Sequence, residues 1–275
     1  MTRWFEPKPY GYERDIRQSL EEDLLQGDPS SLGLRGRTFD WVIEAQAEGV
    51  VSGLQIAAIL LNADRDPWIA DGQFVAPGTI VLKGSGAAPF VMSMERTALN
   101  FLTFLSGTAT LTRAFVRAVE HTSAIIVDTR KTIPGCRALQ KYAVRCGGGH
   151  NHRFNLGDGV ILKDNHIAAA GSILSAVRDA RAVAPHLLRI EVECETEIQV
   201  DEAVRAGADV VMLDNMDVDQ MRSIVSRYNQ AVVFEASGGV TIDSVQKIAE
   251  AGVNVISIGA LTHSAPALKF HLEPV

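Results

Sequence analysis

LRIEVEC (188–194), DVVML (209–213), AVVFEA (231–236) and VNVISIG (253–259) are four short apolar runs that start 21 or 22 residues apart. Apolar residues at helical spacing fill the gaps over 197–206, 218–228 and 242–251, each ending near Ala-Gly or Asn. Strand, helix, strand at this interval predicts βα units and a parallel sheet. IIVDT (125–129) and GVILK (159–163) add two earlier strands, and residues 142–146 are expected to form a short seventh. In the first run Arg189, Glu191 and Glu193 alternate with Ile190 and Val192. A charged face within a parallel sheet suits the interior of an α/β barrel near its mouth. A closed or nearly closed barrel is therefore expected rather than an open sheet.

The first hundred residues read as a mixed region. A helix over 16–25 ends at the turn GDPSS (27–31), and strands at 41–46 and 78–83 flank a helix over 55–62. From Met92 to His121 the pattern is helical. Ala98, Leu99, Phe101, Leu102 and Leu105 line one side, and Arg96, Asn100 and Thr103 another. Gly107 is expected to break this stretch into two helices.

Composition narrows the classes. A chain of 275 residues makes one large domain or two unequal ones. A net charge of −7 argues against a general nucleic-acid or membrane-surface binder. At 47% hydrophobic and 21% charged residues the chain is globular. Three cysteines cannot close a disulfide framework, and their scarcity suits a reducing compartment. The N-terminus MTRWFEPKPYGYERD has no apolar signal core. The most apolar stretch, Val50 to Leu61, falls short of the roughly 20 residues that span a membrane. A cytoplasmic protein is expected.

In α/β barrels the chemistry sits where the strands end. The strand ends here carry Asp128-Thr129-Arg130-Lys131, Lys163-Asp164-Asn165-His166, Glu191 with Glu193, Asp214-Asn215, Ser237-Gly238-Gly239 and Ser257 to Gly259. Between Asp128 and His166 lie seven Lys or Arg against three Asp, a basic island inside an acidic chain. It points to a small polyanion, with Arg153 and Lys163 the strongest candidates. Ser237-Gly238-Gly239 and Gly259 follow the last two strands, where barrels commonly cradle phosphate on backbone N–H groups. Cys146, His150 and His152 are disfavoured as zinc ligands, because no fourth ligand has a recognisable spacing and Arg153 would repel a cation. A Ser hydrolase lacks its G-x-S-x-G elbow, and a dinucleotide fold lacks its G-x-G-x-x-G. A pyridoxal-phosphate lysine at Lys131 or Lys163 stays open.

Taken in order, ERTALN (95–100), DTRKT (128–132), KYAVRCGGG (141–149), NHR (151–153), LKDNHI (162–167), EVE (191–193), MLDN (212–215), EASGG (235–239) and SIGALTH (257–263) strongly resemble the quinolinate phosphoribosyltransferase family. Ile133, Cys136 and Asn155 depart from its usual pattern, and packing differences are expected there. The resemblance implies an N-terminal α/β sandwich over 1–106, joined by the tail 264–275, and a catalytic α/β barrel over 107–263 with about seven strands. It implies the activity, too: quinolinate, phosphoribosyl pyrophosphate and Mg²⁺, with no organic cofactor, giving nicotinate mononucleotide, CO₂ and pyrophosphate. Arg130, Lys131, His152, Arg153 and Lys163 match the cations that bind quinolinate, and Thr129 joins them. Lys131, Glu193 and Asp214 are the catalytic candidates, and Glu193 with Asp214 would also hold the magnesium. Ser237, Gly238, Gly239 and Gly259 would take the 5′-phosphate. A homodimer or higher homo-oligomer is implied, in which Arg96 enters the neighbouring subunit's site. The alternatives are a related barrel transferase acting on nicotinate, a molybdate-linked paralogue, and a non-catalytic phosphometabolite binder.

Overall fold

The computed structural model describes residues 12–63, 69–228 and 231–275, so residues 1–11, read above for a signal core, lie outside it. The first elements are α1 (Tyr12–Leu24), β1 (Thr38–Ala45), β2 (Gly49–Val50), α2 (Leu54–Leu60), β3 (Phe74–Val75), β4 (Ile80–Ala87) and α3 (Ala88–Val119). Next come β5 (Ile125–Val127), α4 (Arg137–Cys146), β6 (Val160–Leu162), α5 (Asp164–Ala170), α6 (Ile173–Val183), β7 (Ile190–Cys194) and α7 (Glu197–Arg205). The chain ends with β8 (Val210–Asp214), α8 (Val218–Tyr228), β9 (Val233–Ser237), α9 (Ile242–Glu250), β10 (Val255–Ser257), α10 (Ala260–His263) and β11 (Phe270–Pro274). Two compact units result. One holds the chain up to Arg113 with Lys131–Gly149 and Ala260–Val275, and the other holds Ala114–Arg130 with His150–Gly259. No described helix is long and apolar enough to cross a membrane.

The first unit is built on an antiparallel sheet in the order β11-β1-β4. Trp41, Ile43 and Ala45 alternate along β1 and are fully buried, as a period of two requires of a strand with one covered face. Trp41 lies opposite Gly84 on β4, and a Cβ at Gly84 would come 2.5 Å from the indole. The stripe Ala98, Leu99, Leu102 and Leu105 of α3 packs into the same core as Leu54, Ile56 and Leu60 of α2. Each such aliphatic side chain contributes about 1.5–3 kcal/mol on burial.

Two expectations fail in this unit. Gly107 does not break a helix, since α3 runs unbroken through it. Its missing side chain admits another segment instead: a Cβ there would lie 2.2 Å from the Pro266 carbonyl. Residues 142–146 are not a seventh strand but the end of α4, where Leu139, Tyr142, Ala143 and Cys146 recur at helical spacing and are buried.

The second unit is a parallel sheet of six strands in the order β5-β10-β9-β8-β7-β6. Beyond β5, His150 forms a parallel bridge to Val127, which draws the segment 150–153 alongside the sheet. Ser172, Thr196 and Thr241 cap α6, α7 and α9 by accepting a backbone N–H in the first turn. One face of the sheet is apolar and shut off from water: Ile190, Val192, Val211, Leu213, Phe234, Ala236 and Ile256 are at most 1% exposed. Alternation and register then put Glu191, Glu193, Met212, Asp214, Glu235, Ser237 and Ser257 together on the opposite face. That polar inner face is the floor on which a site can stand.

Candidate active site

Asp128 directly follows β5 and is fully buried. Its carboxylate accepts the Asn151 side-chain N–H at 2.6 Å and the His152 backbone N–H at 3.0 Å. The segment carrying His152 and Arg153 is therefore tied to the first strand of the sheet. From there the His152 ring reaches over the inner face, with Nε2 at 3.4 Å from Glu191 and 3.5 Å from Glu235. Burial works against charge on this ring. Hydrogen bonds and attraction from the two carboxylates outweigh it and hold His152 above its ordinary value. The Arg153 backbone N–H lies 2.7 Å from Nδ1, and Nε2 carries the proton that faces the two carboxylates. Burial, with repulsion from Glu235, also raises Glu191, against the pull of His152.

Arg153 donates to the Gly159 carbonyl at 2.7 Å, while its Nε is buried without a partner among the described residues. Arg130, half-buried after β5 beside half-buried Thr129, has an Nε in the same state. Burial and then the charge of Arg130 lower Arg153's hold on its proton. Lys163 pairs with Glu193 by a short hydrogen-bonded contact, and its backbone N–H donates to His166 Nδ1 at 3.1 Å. Asp214 follows one row further along on β8 and accepts from the Asn215 side chain at 3.0 Å.

The loop after β9 is shaped by backbone geometry. Gly238 has φ +95°, and a Cβ on it would come 2.2 Å from the Asn215 side-chain oxygen. Asn215 is itself left-handed at φ 54° and donates its N–H to the Ser237 carbonyl at 3.0 Å. Gly239, at φ +57°, has open space around it, and α9 begins just beyond. An exposed left-handed glycine before a helix start leaves backbone N–H groups accessible to an anion. Half-buried Gly259 follows β10.

Thr129, Arg130, His152, Arg153, Lys163, Glu193, Asp214, Ser237, Gly238, Gly239 and Gly259 all belong to the second unit. Arg96 and Lys131 belong to the first. Arg96 is exposed on α3, and Lys131 is exposed with its carbonyl accepting the Thr262 hydroxyl at 2.7 Å. Of the basic island, Lys141 is fully buried within the first unit. The one group of three metal-capable side chains among the described residues is His152, Glu191 and Glu235, which includes neither Cys146 nor His150.

The sequence matches the C-terminal domain of quinolinate phosphoribosyl transferase over residues 108–273 and the N-terminal domain over 29–106. The chain belongs to the quinolinate phosphoribosyl transferase family. It is 43% identical to the probable nicotinate-nucleotide pyrophosphorylase [carboxylating] of Bacillus subtilis, covering 92% of this chain and 89% of that protein. With the nicotinate-nucleotide pyrophosphorylase [carboxylating] of Mycobacterium leprae it shares 39% identity over 94% of this chain and 95% of that one. The solved nicotinate-nucleotide pyrophosphorylase from Francisella tularensis superimposes with a TM-score of 0.93 at 34% identity, covering 98% of both chains.

Against this family background, three buried acids went unassigned from sequence: Asp128, Glu191 and Glu235. A signal for two of them was there. The alternation on β7 puts Glu191 on the inner face, and the same alternation on β9 does so for Glu235. Nothing local shows that both converge on His152, because that contact spans β7, β9 and the segment after β5.

Proposed function

We propose that this chain transfers the phosphoribosyl group of phosphoribosyl pyrophosphate to quinolinate with decarboxylation, yielding nicotinate mononucleotide, CO₂ and pyrophosphate for NAD biosynthesis. The observation that carries the proposal is the pair Arg130 and Arg153, two interacting cations whose buried Nε–H groups have no partner among the described residues. Like charges and orphaned donors together are costly unless a bound anion answers both. The planar fork of arginine suits a carboxylate, and quinolinate carries two.

The pyridine nitrogen attacks C1′ of the ribose with its own lone pair, so no general base is required. The N–C1′ bond forms as the C1′–pyrophosphate bond breaks, and positive charge gathers on the ribose as in other glycosyl transfers. Glu193 and Asp214 stabilise that charge and the ribose hydroxyls from the inner face. Their hard oxygens on adjacent strands also fit Mg²⁺, which characteristically takes one or two carboxylates beside substrate phosphates. When bound, the ion would neutralise pyrophosphate charge. Lys163, Lys131, Arg130, Arg153, His152 and Thr129 hold quinolinate. Once its nitrogen is quaternary, the C2–carboxylate bond breaks, CO₂ leaves, and C2 takes up a proton. Ser237, Gly238, Gly239 and Gly259 bind the 5′-phosphate through backbone N–H groups. In this proposal the protein is cytoplasmic and a homodimer or larger, with Arg96 lent between subunits.

The test is release of labelled CO₂ from quinolinate in the presence of phosphoribosyl pyrophosphate and Mg²⁺. Nicotinate in place of quinolinate should give no nucleotide. Binding of both substrates without any CO₂ would sink the proposal and leave a phosphometabolite binder.

A further inference from the structure

Glu191 and Glu235 have no role in the chemistry above, yet both are at most 5% exposed on the inner face. A buried carboxylate costs several kcal/mol unless it is paired. One oxygen of each is buried without a hydrogen-bond partner among the described residues, and the other oxygens converge on a single atom, His152 Nε2. On its far side the same ring receives the Arg153 N–H at Nδ1. The imidazole is thus wedged between two carboxylates and the backbone of the next residue. Asp128 holds the main chain of that segment, and the Gly159 carbonyl holds the Arg153 guanidinium. What remains to be fixed is the rotation of the His152 ring, and the two glutamates hold its Nε2 edge.

We propose that Glu191 and Glu235 are positioning residues which, acting through the His152 ring, aim Arg153 at a carboxylate of quinolinate. The proposal rests on the quinolinate function above. It gives the glutamates a purpose that their burial alone would oppose. A binding constellation is held to about 0.5 Å only when supporting side chains lock its rotamers, and these two supply that lock.

The experiment is a double-mutant cycle read on Michaelis constants. Glu235→Leu and Glu191→Leu remove the acceptor at nearly constant volume, whereas Glu→Gln keeps one for Nε2–H. The leucine variants should raise the quinolinate KM about tenfold or more and leave the phosphoribosyl pyrophosphate KM within about twofold, and the glutamine variants should restore most of the loss. In an Arg153→Lys background, whose quinolinate KM is already high, the same glutamate changes should add nothing. Equal losses with and without Arg153, or equal rises in both Michaelis constants, would overturn the proposal. A measurement on the unaltered enzyme guards against variants that fail to fold. Nitrogen-15 NMR of His152 should show a proton on Nε2, the atom that faces the two glutamates, and a bare Nε2 would overturn the assignment. An unaltered enzyme that released no CO₂ from quinolinate would instead overturn the function beneath it, which is a distinguishable result.

Discussion

Arg130 and Arg153 each bury an Nε–H that no described acceptor satisfies, and the charge of one weakens the other's hold on its proton. In the unliganded protein this arrangement is a cost. It is offset when an anion with two acceptors arrives, so binding affinity and resting stability should move in opposite directions when either arginine is removed.

Arg130→Met keeps most of the aliphatic stem and removes the charge. The unliganded variant should melt at the same temperature or about 1–3 °C higher, because at most about 1 kcal/mol of repulsion is relieved. Quinolinate should lose its ability to raise that melting temperature. Arg153→Ala should weaken quinolinate by about 3–5 kcal/mol, the range for removing one partner of a buried pair, Lys163→Ala, at a half-exposed side chain, by about 1 kcal/mol, and both should weaken phosphoribosyl pyrophosphate by much less. Titration calorimetry with each ligand decides, and equal losses for both would show that these cations do not select the dicarboxylate.

Asp214 stands at the end of β8 on the inner face, one row beyond the row that Glu193 shares with Met212. Asp214→Asn preserves its size and removes its charge. If the carboxylate faces the ribose cation, kcat should fall by about 10²-fold or more while quinolinate affinity changes little. Steady-state kinetics beside equilibrium binding separate the two, and an unchanged kcat would remove Asp214 from the chemistry.

Much of this was legible in the chain. The strands of the second unit announce themselves because their outer residues must be apolar and their spacing is set by one helix and two turns. The polar strand ends were equally plain, since polar, ionisable or glycine-rich residues recur wherever β5 to β10 stop. What was not legible depends on distant partners. Gly107 reads as a breaker because the residue that needs its space, Pro266, lies at the other end of the sequence. Residues 142–146 read as a strand because β-branched and aromatic residues fit either period over five positions. The fate of Lys141 was hidden for the same reason: a lysine in a basic island looks solvated until the packing of α4 buries it. The convergence of Glu191 and Glu235 on His152 needs the sheet to exist first.

In the first unit α2 starts at Gly53, which has no side chain to cap it. Asp71 does so from outside, accepting Gly53 N–H and Leu54 N–H at 3.0 Å and the Tyr142 hydroxyl at 2.6 Å. Asp71→Ala strands three buried donors and should destabilise by about 2–5 kcal/mol in urea titration. Burial raises Asp71's proton affinity above its unfolded value, against its three donors. A group raised in this way contributes stability below the ordinary carboxylate range and loses it as pH climbs through the raised value. Asp71→Asn should flatten that slope, and a variant with the wild-type slope would exclude Asp71 as its source.

Cysteine reactivity gives a check that needs no substrate. Burial pushes the Cys146 and Cys194 thiols up to about 12, helped by nearby carboxylates. At pH 8 only about one molecule in 10⁴ would carry either thiolate. Cys136 is half-buried, and its shift upward, by burial and then Asp15, is smaller. Brief iodoacetamide treatment of the folded protein should therefore label Cys136 first and spare the other two until denaturant is added. Peptide mass spectrometry that found Cys146 or Cys194 modified early would contradict their burial.

Arg96 sits on α3 with its side chain exposed, while its neighbours Thr97 and Ala98 are buried. An arginine on that face either is a solvated surface charge or serves a partner. The trans role of Arg96 in the proposed dimer separates the two. A two-fold dimer is isologous, so each subunit would lend its Arg96 and receive the other's. Arg96→Ala and Lys131→Ala should each be inactive alone, for different reasons: the first lacks the lent residue, the second a resident one. In a mixed dimer one site loses both residues and the other keeps both. Random exchange makes about half the dimers mixed, so about a quarter of wild-type sites should return. The measurement is CO₂ release after the two inactive proteins are unfolded together and refolded, with tagged subunits to verify exchange. Verified exchange without recovered activity would place Arg96 in its own subunit's site or on the solvated surface. Recovery near a quarter would require a site completed by two chains, since neither subunit carries both residues.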